Sequence, residues 1–92
     1  MSMAKIHIPT PLRPYTDQQS SIEVAAQNVG EALSGLITRH PDLRRRLFTD
    51  DGALRAFVNV YINDEDIRYL QKEDTAVNDG DTIFIVPSIA GG

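Results

Sequence analysis

The sequence predicts an α+β fold in which a mixed sheet of four to five strands packs on one main helix. Three observations predict it: two short alternating segments surround a proline-rich turn, an amphipathic segment follows them, and the second half returns to strand patterns. At 92 residues the chain has the size of one domain with a single apolar core. We therefore expect one domain over residues 1–87, followed by a tail at 88–92.

The first two strands are predicted to form a hairpin. Residues 4–9 alternate apolar and polar side chains, with Ile6 and Ile8 on one face, as in a strand that is buried on one side. Prolines then end the strand, and residues 10–18 are expected to form a stiff turn. Residues 19–24 resume the strand pattern.

Asn28 is expected to cap the main helix. Its side chain can accept a hydrogen bond from a backbone N–H of the first turn, and Glu31 follows at the third helical position, as in a capping box. Apolar residues then recur at spacings that place them on one stripe: Val29, Leu33, Leu36 and Ile37. The helix is expected to run to His40, because Pro41 stops it.

The second half of the chain is predicted to complete the sheet. Residues 42–48 form a further turn or short helix, and residues 56–62 are the clearest strand. A turn then leads to a short strand at 67–69. Gly80 supplies the backbone freedom of a tight turn. Residues 82–87 form the last strand, whose apolar run is typical of a strand flanked by neighbours inside a sheet.

Composition excludes several classes of function. The formal net charge is −4, so the chain has no extended basic surface for nucleic acid. It lacks an apolar run long enough for a membrane span and a signal pattern at its N-terminus, and we therefore expect a soluble, cytoplasmic protein without a membrane partner. Cysteine is absent, which excludes disulfides, thiolate catalysis and cysteine-ligated metal.

The chain ends in two glycines, Gly91 and Gly92, behind Ile89 and Ala90. Two given positions are both glycine by chance in about 0.5% of chains. A frayed tail or an expression scar is the alternative, but the apolar Ile89 suits a docking segment better than a spacer. Because we find no internal catalytic constellation, the terminal carboxylate is the group that remains for covalent chemistry.

These features together resemble the MoaD/ThiS family of ubiquitin-like sulfur carriers. The resemblance covers nearly the whole chain and rests on one helix held by a mixed sheet, the turn Asp79-Gly80-Asp81, the apolar last strand, and the ending Pro87-Ser88-Ile89-Ala90-Gly91-Gly92. The family includes the small subunit of molybdopterin synthase, the thiamin sulfur carrier, and the carrier of thiocarboxylate-dependent cysteine biosynthesis in actinobacteria. It implies a β-grasp fold and a protein co-substrate rather than an enzyme.

The resemblance implies that Gly92 is the reacting residue. A terminal carboxylate, with a pKa of about 3.5, is an anion at neutral pH and resists nucleophiles. An E1-like adenylating enzyme would activate it with ATP, and a sulfur donor would then convert it to a thiocarboxylate. Gly91 would give clearance in a narrow channel, and Ile89 and Ala90 would dock to the partner. The chain itself is expected to bind no cofactor and no metal.

The first hairpin and the residue after the last strand separate the branches of the family. Molybdopterin synthase small subunits usually have an aromatic-rich first strand and a Leu-Arg-Glu turn; here Leu12-Arg13 match, but Pro14 replaces the acid. Residues 8–14 and 57–66 look more like the cysteine-biosynthesis carrier, as does Ser88, where molybdopterin carriers usually have a second proline.

The resemblance therefore favours one function, sulfur donation for cysteine biosynthesis, over two alternatives. The favoured acceptor is a cysteine synthase, with a zinc metalloprotease that releases the cysteine. The first alternative is the large subunit of molybdopterin synthase. The second is a β-grasp interaction module, or a protein modifier that is joined to lysines through Gly92.

Three further features each have two interpretations. Phe57 and Tyr61 lie on the strand face opposite the predicted core and either bind a partner or are covered by the chain's own loops. Residues 44–46, three arginines, either meet an acidic surface or form a solvated helix face, which is the favoured interpretation. Residues 64–66 either bind a cation or form a hairpin turn; their spacing lacks that of a calcium loop, which favours the turn.

Overall fold

A computed structural model describes residues 2–87 of the chain, and Met1 and residues 88–92 lie outside the described part. One five-stranded sheet is formed by β1 (Ser2–His7), β2 (Ser21–Ala26), β3 (Val58–Ile62), β4 (Glu65–Asp66) and β5 (Thr82–Pro87). Two α-helices lie between β2 and β3 in the chain: α1 (Val29–Arg39) and α2 (Leu43–Leu47). The predicted α+β class, with a mixed sheet and one main helix, is confirmed.

β5 is the central strand of the sheet, whose order is β2-β1-β5-β3-β4. It pairs in parallel with β1 and antiparallel with β3, and β1 pairs antiparallel with β2, which confirms the predicted hairpin. Because of these directions, β1 and β5 end at the same edge of the sheet at which β3 begins, with Pro87 opposite Val58. We call this side the tail edge, since residue 88 continues from it.

The apolar core lies between one face of the sheet and α1. Ile6 and Ile8, predicted to share an inward face, are fully buried. Leu33 and Leu36 of α1 are also buried, and Ile37 at the margin of the stripe packs against the core while partly exposed. Burial of one such side chain stabilises a fold by about 1.5–3 kcal/mol, so the alternating strands and the helical stripe account for the layered packing.

Asn28 caps α1, as predicted. Its Oδ1 accepts a hydrogen bond from the backbone N–H of Glu31 at 2.8 Å, and Glu31 Oε1 accepts one from the backbone N–H of Gln27 at 2.8 Å. The second bond therefore reaches one residue further back than in the usual capping box. The helix ends at Arg39, and His40 is its C-cap.

Three strands are displaced from their predicted positions, and β1 lies two residues earlier than predicted, at Ser2–His7. The segment expected to be a turn contains a 3₁₀ helix at Thr10–Thr16, because proline presets a φ angle that suits a helical first turn. β2 consequently begins at Ser21, two residues later than predicted. β3 begins at Val58, whose N–H donates to the Arg55 carbonyl at 2.9 Å and closes a turn. Phe57 lies in that turn rather than in the strand.

The predicted strand at 67–69 is wrong. Ile67–Tyr69 is a 3₁₀ helix, and the short edge strand β4 lies just before it. Asp66 explains the difference, because its Oδ1 accepts the backbone N–H of Arg68 at 2.9 Å. Such a local hydrogen bond from a side chain competes with strand pairing and caps the start of a helical turn.

Candidate functional site

The segment predicted to carry the sulfur begins at the tail edge. β5, which ends at Pro87, is held by hydrogen-bonded neighbours on both sides, so the point from which the segment continues is firmly placed in the sheet. Ile89, Ala90, Gly91 and Gly92 all lie outside the described residues. Their roles in docking, clearance and sulfur transfer stay predictions.

The sheet face opposite α1 has a row of rings across its centre. His7 of β1 lies opposite Phe84 of β5, with ring centroids 5.5 Å apart, and Phe84 lies opposite Tyr61 of β3. All three residues are half-buried, and Val86, one step nearer the tail edge, is 44% exposed. We call these four residues the open-face patch. Its exposed apolar atoms are a candidate surface for contact with a partner.

The two aromatic residues predicted to bind a partner occupy different places. Tyr61 lies within the open-face patch and is half-buried. Phe57 lies at the tail edge, in the turn before β3, and is 38% exposed. Each side chain therefore retains surface that a partner can contact, Tyr61 at the centre of the sheet and Phe57 beside the start of residues 88–92.

An ion pair holds an arginine at the margin of the open face. Arg68 Nη2 donates to Asp66 Oδ2 at 3.1 Å and also to Asn59 Oδ1, and Asp66 is the β4 residue opposite Tyr61. The hydrogen bond from the Arg68 side chain lowers the pKa of Asp66 and raises the pKa of Arg68. The sequence interpretation of 64–66 as a turn missed this pair, although an aspartate two residues before an arginine is a signal for it.

Within residues 2–87 no group of three or more His, Cys, Asp or Glu side chains could hold a metal ion. Over the same residues, no helix is long and apolar enough to cross a membrane.

Comparison with known protein families shows to which family the chain belongs. The model of the ThiS family matches residues 6–92. The chain belongs to the ThiS family. This confirms the predicted resemblance, including the β-grasp fold that the family shares.

Two individual proteins similar to this ThiS-family chain are a sulfur carrier and a protein modifier. The sulfur carrier protein CysO of Mycobacterium tuberculosis is 39% identical over 89 residues, which is 95% of this chain and 96% of the relative. Small archaeal modifier protein 1 of Haloferax volcanii is 41% identical over 64 residues, 70% of this chain and 69% of the relative.

One solved structure places this fold in a complex. In the crystal structure of the Amycolatopsis orientalis BexX/CysO complex, one chain superimposes on this ThiS-family chain with a TM-score of 0.87 and 38% identity. The match covers 97% of this chain and 99% of that chain. Nearly the whole of this chain therefore shares its fold with one chain of that crystallised complex.

Proposed function

We propose that this protein is a sulfur carrier whose C-terminal Gly92 is adenylated and converted to a thiocarboxylate, which donates sulfur for cysteine biosynthesis. The observation that supports the proposal most strongly is the 39% identity to the sulfur carrier protein CysO along 95% of the chain. On this proposal the chain is a protein co-substrate, and the enzymes are its partners.

The proposed chemistry proceeds in two steps at the terminal carboxyl group. A carboxylate oxygen of Gly92 attacks the α-phosphorus of ATP and releases pyrophosphate, which leaves an acyl adenylate. A sulfide-equivalent donor then attacks the carbonyl carbon and expels AMP, so that one carboxyl oxygen is replaced by sulfur. Adenylation is needed because the carboxylate is an anion at neutral pH and its carbonyl carbon resists nucleophiles.

The folded domain serves in this proposal as the part that partners recognise. Residues 88–92, if fully extended, reach at most about 17 Å from the tail edge. That length lets the terminal carboxyl group enter a buried active site while the domain rests on the enzyme surface. The open-face patch and the tail edge supply that contact, and the central strand β5 places Pro87 between two hydrogen-bonded neighbours in the sheet.

Three partner proteins follow from the proposal. An E1-like adenylating enzyme activates the terminus with ATP, a cysteine synthase accepts the sulfur, and a zinc metalloprotease releases cysteine from the carrier. The crystallised BexX/CysO complex supports binding to a partner protein, because the CysO-like chain in it has the fold described here.

A second candidate function is that of a protein modifier. It is favoured by the 41% identity to small archaeal modifier protein 1 over 64 residues. In that case the activated Gly92 forms an isopeptide bond with a lysine of another protein instead of accepting sulfur. Isopeptide-linked species in a cell lysate would mark this outcome.

We predict that sulfur is placed on Gly92 and nowhere else in the chain. The intact protein is incubated with the adenylating enzyme, ATP and sulfide, and its mass is measured. We expect an increase of one oxygen-for-sulfur exchange, located in the C-terminal peptide. The control variant lacks Gly92 and is expected to keep its mass; an unchanged mass of the wild type, or an equal increase in the control, contradicts the proposal.

The acceptor is then identified from what removes the sulfur. The thiocarboxylated protein is divided between a cysteine synthase with its activated serine substrate and a molybdopterin synthase large subunit with its pterin precursor. Cysteine formation after proteolytic release supports the proposal. Sulfur transfer only to the pterin assigns the chain to molybdenum cofactor synthesis instead.

A further inference from the structure

A basic pocket lies beside α2 in a chain whose formal net charge is −4. It has a volume of about 550 Å³ and is lined by Tyr15, Asp42, Arg45, Arg46 and Arg55. We call it the arginine pocket. Its lining has three positive charges and one negative charge, so the local field opposes the overall charge of the chain and attracts anionic groups.

The strand pairing places this pocket at the tail edge. Tyr15 belongs to the 3₁₀ helix that follows β1. Arg55 lies three residues before Val58, and Val58 lies opposite Pro87 in the sheet. Three residues span at most about 11 Å, and paired Cα atoms lie about 5 Å apart. The Cα atom of Arg55 therefore lies within about 16 Å of that of Pro87.

Two of the guanidinium groups are oriented before any partner binds. The central carbon of the Arg46 guanidinium lies 4.8 Å from the ring centroid of Tyr15, which is a cation–π contact. Arg55 Nε donates to the backbone carbonyl of Arg45 at 2.7 Å. Side chains that are already held in place lose less entropy on binding, so this arrangement favours recognition of an anion.

The charges of the pocket are left for an external anion. Within residues 2–87 the structure shows a salt bridge between Arg68 and Asp66. The arginines of the pocket form no salt bridge within these described residues. Arg45 and Arg46 are exposed. Guanidinium groups with open N–H donors bind carboxylates in a bidentate, charge-assisted manner.

We propose that the arginine pocket docks an acidic patch of the adenylating enzyme, beside the opening through which residues 88–92 enter. This inference rests on the proposed function. An extended terminal segment would take the Gly92 carboxyl group up to about 17 Å from Pro87, and ATP reacts at that far end. The arginine pocket belongs to the folded domain, at the Pro87 end of the terminal segment. It therefore meets the protein surface around the opening rather than the nucleotide.

The test compares two arginines of one short helix. Arg46→Gln removes a charge from the pocket, and the matched control Arg44→Gln removes the same charge from a residue that lines a different groove with Leu33 and Ile37. Thiocarboxylation by the adenylating enzyme is measured against carrier concentration. For Arg46→Gln we expect a KM increase on the order of tenfold, as for loss of one charge-assisted contact, with an unchanged kcat, whereas Arg44→Gln keeps the wild-type KM.

Two further measurements separate charge from packing. Arg46→Lys keeps the positive charge and is expected to recover most of the wild-type KM. The KM of the wild type should rise with salt more steeply than that of Arg46→Gln, because salt screens the contact that the variant lacks. Thermal unfolding of all variants confirms that each is folded under the assay conditions.

The outcomes separate this inference from the proposed function. If the wild type is converted and Arg46→Gln shows the same KM as Arg44→Gln, the docking role of the pocket is overturned while the sulfur-carrier proposal stands. If the wild type is not converted at all, the proposed function is overturned and the docking role with it.

Discussion

Single side chains determine where several elements begin and turn. Asn28 satisfies the backbone N–H of Glu31, which lacks a partner within α1, and Glu31 accepts the N–H of Gln27 just before the cap. In the turn before β5, Gly80 has a φ of +86°, a left-handed conformation that glycine adopts without strain. Asp79 Oδ1 accepts the backbone N–H of Met3 at 2.8 Å and ties this turn to β1.

We predict that Asn28→Ala destabilises the protein by about 1 kcal/mol, because removal of an N-cap side chain leaves a helical N–H unsatisfied. Urea unfolding measures the free energy of unfolding of wild type and variant. Ser34→Ala is the control, since Ser34 is exposed on the same helix and its side chain is not a cap. Equal losses in the two variants would contradict a capping role for Asn28.

Short elements at the edge of the sheet follow side-chain chemistry more than strand propensity. The segment after β4 has the β-branched and aromatic residues of a strand, yet Asp66 caps it as a 3₁₀ helix. The Asp66 side chain is only 10% exposed, whereas that of its ion-pair partner Arg68 is 56% exposed. Because this pair lies beside Tyr61, the edge element also shapes the margin of the open-face patch.

The ion pair predicts a pH dependence of stability. The Arg68 hydrogen bond lowers the pKa of Asp66 from 3.8 in the folded state, so the charged form is favoured by folding. Its contribution is complete above the unfolded pKa and is lost as the pH falls through the lowered folded pKa. We expect Asp66→Asn to lower the Tm near neutral pH and to flatten the acid side of the Tm profile between about pH 5 and pH 2.

Asp64→Asn is the matched control for this profile. Asp64 belongs to the same acidic run but is exposed, so its variant should follow the wild-type curve in thermal unfolding monitored at each pH. An Asp66→Asn profile parallel to that of the wild type throughout the acid range would show that the pair does not couple folding to protonation.

For the whole molecule, strand order determines which surfaces lie close to the point from which residue 88 continues. Phe57 precedes Val58, which lies opposite Pro87, and Val86 carries the open-face patch from the centre of the sheet towards the same tail edge. The patch has an apolar centre and, in the Asp66–Arg68 pair beside Tyr61, a charged margin, which is the usual anatomy of a protein interface. The arrangement is consistent with one partner that contacts the sheet and receives the terminus.

We predict that Tyr61→Ser raises the KM for the adenylating enzyme several-fold, because it removes an aromatic contact from the centre of the open-face patch. The control is Tyr69→Ser, which truncates the same residue type at a position that is 86% exposed and outside the patch. Both variants are assayed by thiocarboxylation over a range of carrier concentrations, with Tm measured in parallel. An equal KM for the two folded variants would assign no partner contact to Tyr61.

Much of the fold was predictable because its signals are local. The stripe of α1, the cap at Asn28 and the alternation of β1 and β3 depend on residues within a few positions of one another, and the structure confirms each. The predicted bounds of β5 agree with the structure. The strand at 67–69 was mispredicted because one capping hydrogen bond outweighed its residue propensities.

The sequence by itself determined the family, through the last strand, the turn around Gly80 and the glycine ending, since these are contiguous motifs. Only the tertiary structure decided which distant residues share a surface. Tyr15 and Arg46 stack although thirty residues separate them, and Tyr61 and Phe84 are neighbours because β5 lies beside β3. Strand order and helix packing are set by burial of the whole core, and no local pattern of side chains specifies them.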